Sequence, residues 1–210
     1  MNALPESFVT VKSEAHTEFE EKRSVFIGHV KRCDSEDEAL SFIKEIKKEY
    51  SDATHNVYGY SINGGILARY SDDGEPQGTA GMPVLDTIRK SGVDNVCVVV
   101  TRYFGGTLLG AGGLVRAYSH SASIAIEEAG IARYEPYSSY RLRCGYSEYQ
   151  KYNSFFSTVN AIIEDTVFDA DVTVVFSVKR RVADETVAKI REMSYGKDIP
   201  ELIGERFDYR

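Results

Sequence analysis

A chain of 210 residues, 42% hydrophobic and 27% charged, can bury an ordinary core and suits one large domain or two small ones. Its net charge of -7 excludes a general nucleic-acid coat, because nonspecific affinity comes from Lys and Arg displacing counterions, so any such contact must be local. Glu6 stands where a secretion signal wants Lys or Arg, and the longest apolar run, Val96 to Val100, is far short of the roughly 20 residues that span a bilayer; the expectation is a soluble, cytoplasmic protein with no membrane partner.

In chain order, β-prone pieces at Phe8 to Val11 and Thr17 to Val30 precede a helix opened by Ser35 and Glu38, which have capping-box spacing. Ala39, Ile43, Ile46 and Tyr50 recur at helical spacing along it. Strands are expected at Val57 to Ile62, Ile66 to Tyr70 and Val96 to Thr101, with Asn63-Gly64-Gly65 as a hairpin turn between the first two. This half reads as α+β. Cys33, Cys97 and Cys144 show no paired spacing, and His16, His29, His55 and His120 form no ligand pattern, so no transition metal or cofactor is assigned.

Two glycine-bearing loops are the candidate site. The first, Ser71 to Pro83, places Asp72, Asp73 and Glu75 within four residues, an oxygen-rich cluster that could hold a hard divalent ion or serve for turn formation and ion pairing; it fails the EF-hand pattern. The second, Thr101 to Tyr118, carries Arg102, Tyr103, Gly105, Gly106, Gly110, Gly112, Gly113 and Arg116, and runs from a strand into a helix. Backbone N–H groups beside a helix N-terminus favour an anion, which makes a phosphate-containing ligand physically reasonable. Walker A chemistry is unsupported, since Ala111 and Gly112 replace Lys and Ser or Thr, and Val115 breaks a dinucleotide fingerprint. Arg116, read as a first-turn cation, opposes the helix dipole unless something anionic meets it; Asp72, Asp73 or Glu75 could instead neutralise Arg102 or Arg116. His55 and Asn56 are further polar candidates.

The helical stripe Leu114, Val115, Tyr118, Ala122, Ala125, Ile126 and Ala129 ends at Gly130. Arg133 to Ser139, with Pro136, reads as a linker, placing domains at 1–134 and 135–210, neither of them basic. Tyr140, Leu142 and Cys144 alternate with Arg141 and Arg143 as a strand. Ser147 and Gln150 then have capping-box spacing ahead of Tyr149, Tyr152, Phe156, Val159 and Ile163 on one helical face. Strands at Thr166 to Phe168 and Val172 to Val178 flank an Asp169-Ala170-Asp171 turn, Asp184 caps a second helix, and Leu202-Ile203 begins a last strand. The order βαββαβ predicts a ferredoxin-like domain. Its outward positions, Arg141, Arg143, Thr173, Val175 and Ser177, offer no aromatic platform for stacking RNA bases.

Lys22 to Phe26, Ala53 to Asn56, Asp72 to Pro76, Gly78 to Gly81 and above all Thr101 to Gly106 through Leu114 to Tyr118 resemble the IMPACT family, over most of residues 18 to 130. The tail is similar to the small C-terminal domain of bacterial members, itself like the last domain of elongation factor G. The resemblance implies an N-terminal fold shared with a small-subunit ribosomal protein and elongation factor G domain IV. It also implies translation regulation: eukaryotic members restrain a translation kinase, and for a two-domain form the expectation narrows to association with RNA, the ribosome or a translation factor, without catalytic residues. Two alternatives stay open: a metal-dependent nucleotide- or phosphate-binding enzyme, and a protein-only adaptor.

Overall fold

The computed structural model describes residues 7–209; the first six residues, part of the segment read for a secretion signal, lie outside the described residues. The chain divides into two compact units, Phe8–Arg133 and one built from Tyr134 onward. Among the described residues no helix is long and apolar enough to cross a membrane.

The N-terminal unit contains β1 (Phe8–Val11), β2 (Ala15–Glu21), β3 (Ser24–Arg32), α1 (Glu36–Glu49), β4 (His55–Ile62), β5 (Leu67–Ser71), α2 (Gly81–Ser91), β6 (Val96–Tyr103) and α3 (Ala111–Ala129). Its sheet runs β2-β3-β6-β4-β5 with every neighbouring pair antiparallel. Strand β6 lies at the centre and is covered on both faces, which explains why it reads as an unbroken apolar run and not as an alternating strand. Val96, Val98 and Val100 pack with Val84 and Ile88 of α2 and with Leu114, Tyr118 and Ala122 of α3. Cys97 and Val99 face Phe42, Ile43 and Ile46 of α1.

Local signals set most of these boundaries. Ser35 caps α1, its Oγ accepting from the Glu38 N–H. The return bond from Glu38 goes to the Asp34 N–H in place of that of Ser35. The turn at Asn63 to Gly65 is present, but Ile66 stays outside the strand and exposed, so β5 begins at Leu67. Nothing in the local pattern predicts α2, which takes the last three residues of the expected acidic loop, Gly81 to Pro83, as its first turn. In α3 the expected stripe is buried except for Val115, which faces solvent, and Gly130 ends the helix with φ 68°.

The second unit is formed by β7 (Ile131–Cys144) from Tyr134 on, α4 (Tyr146–Thr158), β8 (Ile162–Phe168), β9 (Val172–Lys179), α5 (Arg180–Met193) and β10 (Glu201–Asp208). Spatial order β10-β7-β9-β8, all antiparallel, is the ferredoxin-like arrangement, and the fold as a whole is α+β. Leu142, Val174 and Phe176 on one sheet face pack against Tyr152 and Phe156 of α4 and Ile190 of α5.

The linker expected at Arg133 to Ser139 is part of β7; Pro136 precedes the stretch paired with β9, so its missing N–H removes no bond on that side. Helix α4 starts at Tyr146 with no side-chain cap, because the Ser147 hydroxyl bonds Glu148, while Val159 is the C-cap and Ile163 belongs to β8. Asp184 lies inside α5, whose N-cap is Lys179. On the outer sheet face, Arg141 pairs with Glu201 on the neighbouring strand and Arg143 with Asp171 in the turn between β8 and β9. Ser177 is fully buried and hydrogen-bonded to Ser139.

Candidate functional site

Arg102 continues the face of β6 that carries Val98 and Val100, so its side chain is directed inward, toward the α3 side of the sheet. It is only 5% exposed. Its Nη1 donates to Glu75 Oε1 at 2.5 Å and its Nη2 to Ser24 Oγ at 3.3 Å, while the guanidinium lies over the rings of Phe26 and Phe104. The Tyr118 hydroxyl donates to the same Glu75 oxygen at 2.7 Å. Burial first, and the Glu75 carboxylate second, push the Tyr118 phenol far above its usual range, so it acts as a neutral donor. The acidic and glycine-rich loops therefore touch, through a buried pair in which each charge has additional hydrogen bonds.

The three carboxylates of the acidic loop do not converge. Asp72 accepts from the N–H groups of Gly78, Ala80 and Gly81 and so caps α2 from eight or nine residues upstream. Asp73 accepts from Lys47 Nζ at 2.5 Å and from the Asn56 N–H at 2.7 Å. Glu75 belongs to Arg102. Among the described residues there is no group of three His, Cys, Asp or Glu side chains that could hold a metal ion, so of the two readings of this cluster the geometry favours ion pairing and capping.

His55 Nδ1 faces the Asp73 carbonyl at 2.8 Å, which makes that nitrogen the donor and leaves Nε2 toward Glu75 Oε1 at 3.8 Å. The Asn56 side chain is used on the other face of the sheet, accepting from Thr101 Oγ1 and donating to the Tyr50 carbonyl. Tyr103 donates to Asp52 and leaves the loop. Of the predicted residues, His55, Glu75, Arg102 and Gly110 line one groove of about 380 Å³, walled by Phe104 and Leu108. Gly110 is the N-cap of α3, and Gly112 and Gly113 lie in its first turn.

Arg116 is elsewhere. It is exposed and sits in the second turn of α3, not the first, beside a separate cleft of about 250 Å³ lined also by Lys22 and His120. Residues not named from the sequence as part of the site are Ser24 and Phe26, which contact Arg102, and Tyr118, which bonds Glu75. The signal for Tyr118 is its hydroxyl on an otherwise apolar helical stripe, since a buried Tyr needs a partner.

Residues 22–126 match the Impact N-terminal domain, and residues 142–197 match a domain of unknown function, DUF1949. IMPACT family member YigZ of Escherichia coli is 31% identical over 196 residues, covering 92% of this chain and 93% of that protein. IMPACT family member YvyE of Bacillus subtilis is 45% identical over 126 residues, which span 60% of this chain and 58% of that relative. A solved structure titled "Crystal structure of an hypothetical protein" matches with a TM-score of 0.61 and 29% identity, over 96% of this chain and 99% of that one. With an Impact N-terminal domain over half its length and a relative matched nearly end to end, the chain belongs to the IMPACT family.

Proposed function

We propose that this protein is a non-enzymatic, translation-associated binding protein that meets RNA, the ribosome or a translation factor through the surface around its glycine-rich loop. The observation that carries this reading is the Glu75–Arg102 pair: both charges are buried and mutually neutralised, so they brace the loop, and of their buried polar atoms only Arg102 Nε is left without a hydrogen-bond partner. What the loop region presents to solvent is Phe104, Leu108 and, one helical turn on, Arg116. The family tie, which includes eukaryotic proteins named IMPACT, supports the link to translation.

Co-sedimentation with ribosomes across rising salt tests this. Saturable binding that weakens with salt and is reduced in Arg116→Ala is the expected result; no binding at low salt overturns it. The adaptor reading keeps one observation in its favour, the exposure of Phe104 (45%) and Leu108 (82%) at the rim of the groove. It predicts a salt-insensitive protein complex that Leu108→Ser abolishes.

A further inference from the structure

The two-residue turn between β2 and β3 is Lys22-Arg23, and both residues lie in the left-handed region, with φ 49° and 66°. Hairpin turns with positive φ at both positions usually take Asn-Gly, because a Cβ is strained there. Surrounding contacts hold the strain in place. Gly105 packs on this turn so closely that an added Cβ would lie 2.0 Å from the Arg23 carbonyl. The Gly105 N–H donates to Ser24 Oγ at 3.1 Å, the same oxygen that accepts from Arg102. Arg23 Nη2 donates to Thr107 Oγ1 across the loop. The buried Glu75–Arg102 pair thus braces a strained turn that displays two cations.

Strain maintained by its surroundings is a mark of contact sites. Lys22 lines the 250 Å³ cleft with Arg116 and His120; Glu21 is the one carboxylate among its lining residues. Neither Lys22 nor Arg116 has an ion-pair partner among the described residues. The cleft, of about 250 Å³, has room for a phosphate group beside Lys22 and Arg116. Its aromatic wall, Phe19, is engaged by neighbouring rings, stacked on Phe26 at 5.2 Å and meeting His120 in a T-shaped contact at 4.8 Å.

We propose that Lys22, Arg23 and Arg116 form a clamp for the phosphodiester backbone of single-stranded RNA, without base recognition. This rests on the translation-associated reading above and moves its contact from the glycine loop to the hairpin turn that the loop supports.

The test is fluorescence anisotropy with a labelled oligouridylate RNA over a range of salt, using wild type, Arg116→Gln and the double variant Lys22→Asn/Arg23→Gly. The double variant supplies the residues that such a turn prefers, so it removes both charges while relieving strain. Each variant should bind about tenfold more weakly at low salt, and the slope of log K against log salt should become shallower by about 0.7 for every phosphate no longer neutralised. Unchanged affinity and slope in the double variant overturn the clamp. Binding of polyglutamate in place of RNA also overturns it and assigns the cations to an acidic protein surface. If the double variant still co-sediments with ribosomes like wild type, the clamp falls while the translation-associated reading stands; if wild type binds neither ribosomes nor RNA, both fall.

Discussion

Glu75 and Arg102, 27 positions apart, meet in a 2.5 Å hydrogen bond with their side chains only 4% and 6% exposed. A buried pair of this kind adds little over a well-packed apolar pair, yet removing one partner strands the other charge.

Arg102→Ala and Glu75→Gln should therefore each lower unfolding free energy by about 3–5 kcal/mol. The double variant Glu75→Leu/Arg102→Met should recover much of that loss, because the two residues are coupled and neither charge remains. Urea denaturation of the three variants checks this. A cost near zero for Arg102→Ala would mean that the guanidinium is held for a ligand and not for the fold.

Glycine positions in the loop should respond with opposite signs. Gly105→Ala drives a methyl into the Arg23 backbone and should cost more than the ~1–3 kcal/mol typical of overpacking. Gly112 lies in the first turn of α3 without positive φ, and a Cβ there meets only the end of the Arg116 side chain at 3.6 Å. Gly112→Ala should stabilise by about 0.4–1 kcal/mol through helix propensity and a less flexible unfolded chain. Thermal denaturation distinguishes the two, and a destabilised Gly112→Ala would show that its openness serves something other than packing.

These contrasts indicate what the sequence could convey. The C-terminal βαββαβ order was legible because its strands alternate and its helices carry apolar stripes, signals that lie within a dozen residues of one another. Helix α2 was not, because its cap is Asp72, far upstream, and Ala80 at the N-cap position offers no side-chain bond. Pro136 and two serines resembled a linker for the same reason: pairing of β7 with β9 and β10 is set by partners about 30 to 70 positions away. At the site, the two loops could be named from their composition. That Glu75, and not Asp72 or Asp73, meets Arg102 depends on where the turn at Asp73 aims each carboxylate, and the role of Lys22-Arg23 depends on a glycine some 80 positions later.

Asp72→Ala should cost about 1–2 kcal/mol, since one carboxylate satisfies three backbone donors at the start of α2. Magnesium with nucleotides should leave the melting temperature of wild type unchanged. A true ligand at 100 times its Kd would stabilise by about 2.7 kcal/mol, so a clear shift that disappears in Asp72→Ala would restore the metal-dependent reading.

A last prediction concerns His29, fully buried on β3. Thr101 gives its hydroxyl proton to Asn56 Oδ1 at 2.7 Å and so must accept from His29 Nε2 at 3.1 Å. That fixes the proton of neutral His29 on Nε2 and leaves Nδ1 to accept from His16 Nδ1 at 2.8 Å. Burial, and then the neighbouring His16, push the His29 pKa down to about 4. An unfolded histidine titrates near 6.5, so between these values the unfolded chain binds a proton that the folded chain refuses, and stability rises with pH. The contribution is complete above about pH 6.5 and is lost as pH falls toward 4, by up to about 3 kcal/mol at 1.36 kcal/mol per pH unit. His29→Gln retains a donor and an acceptor but cannot titrate, so its urea midpoint should vary less with pH than that of wild type across this window. Parallel profiles for the two proteins would mean that His29 takes up its proton in the folded state, with the His16 contact rearranging to admit it.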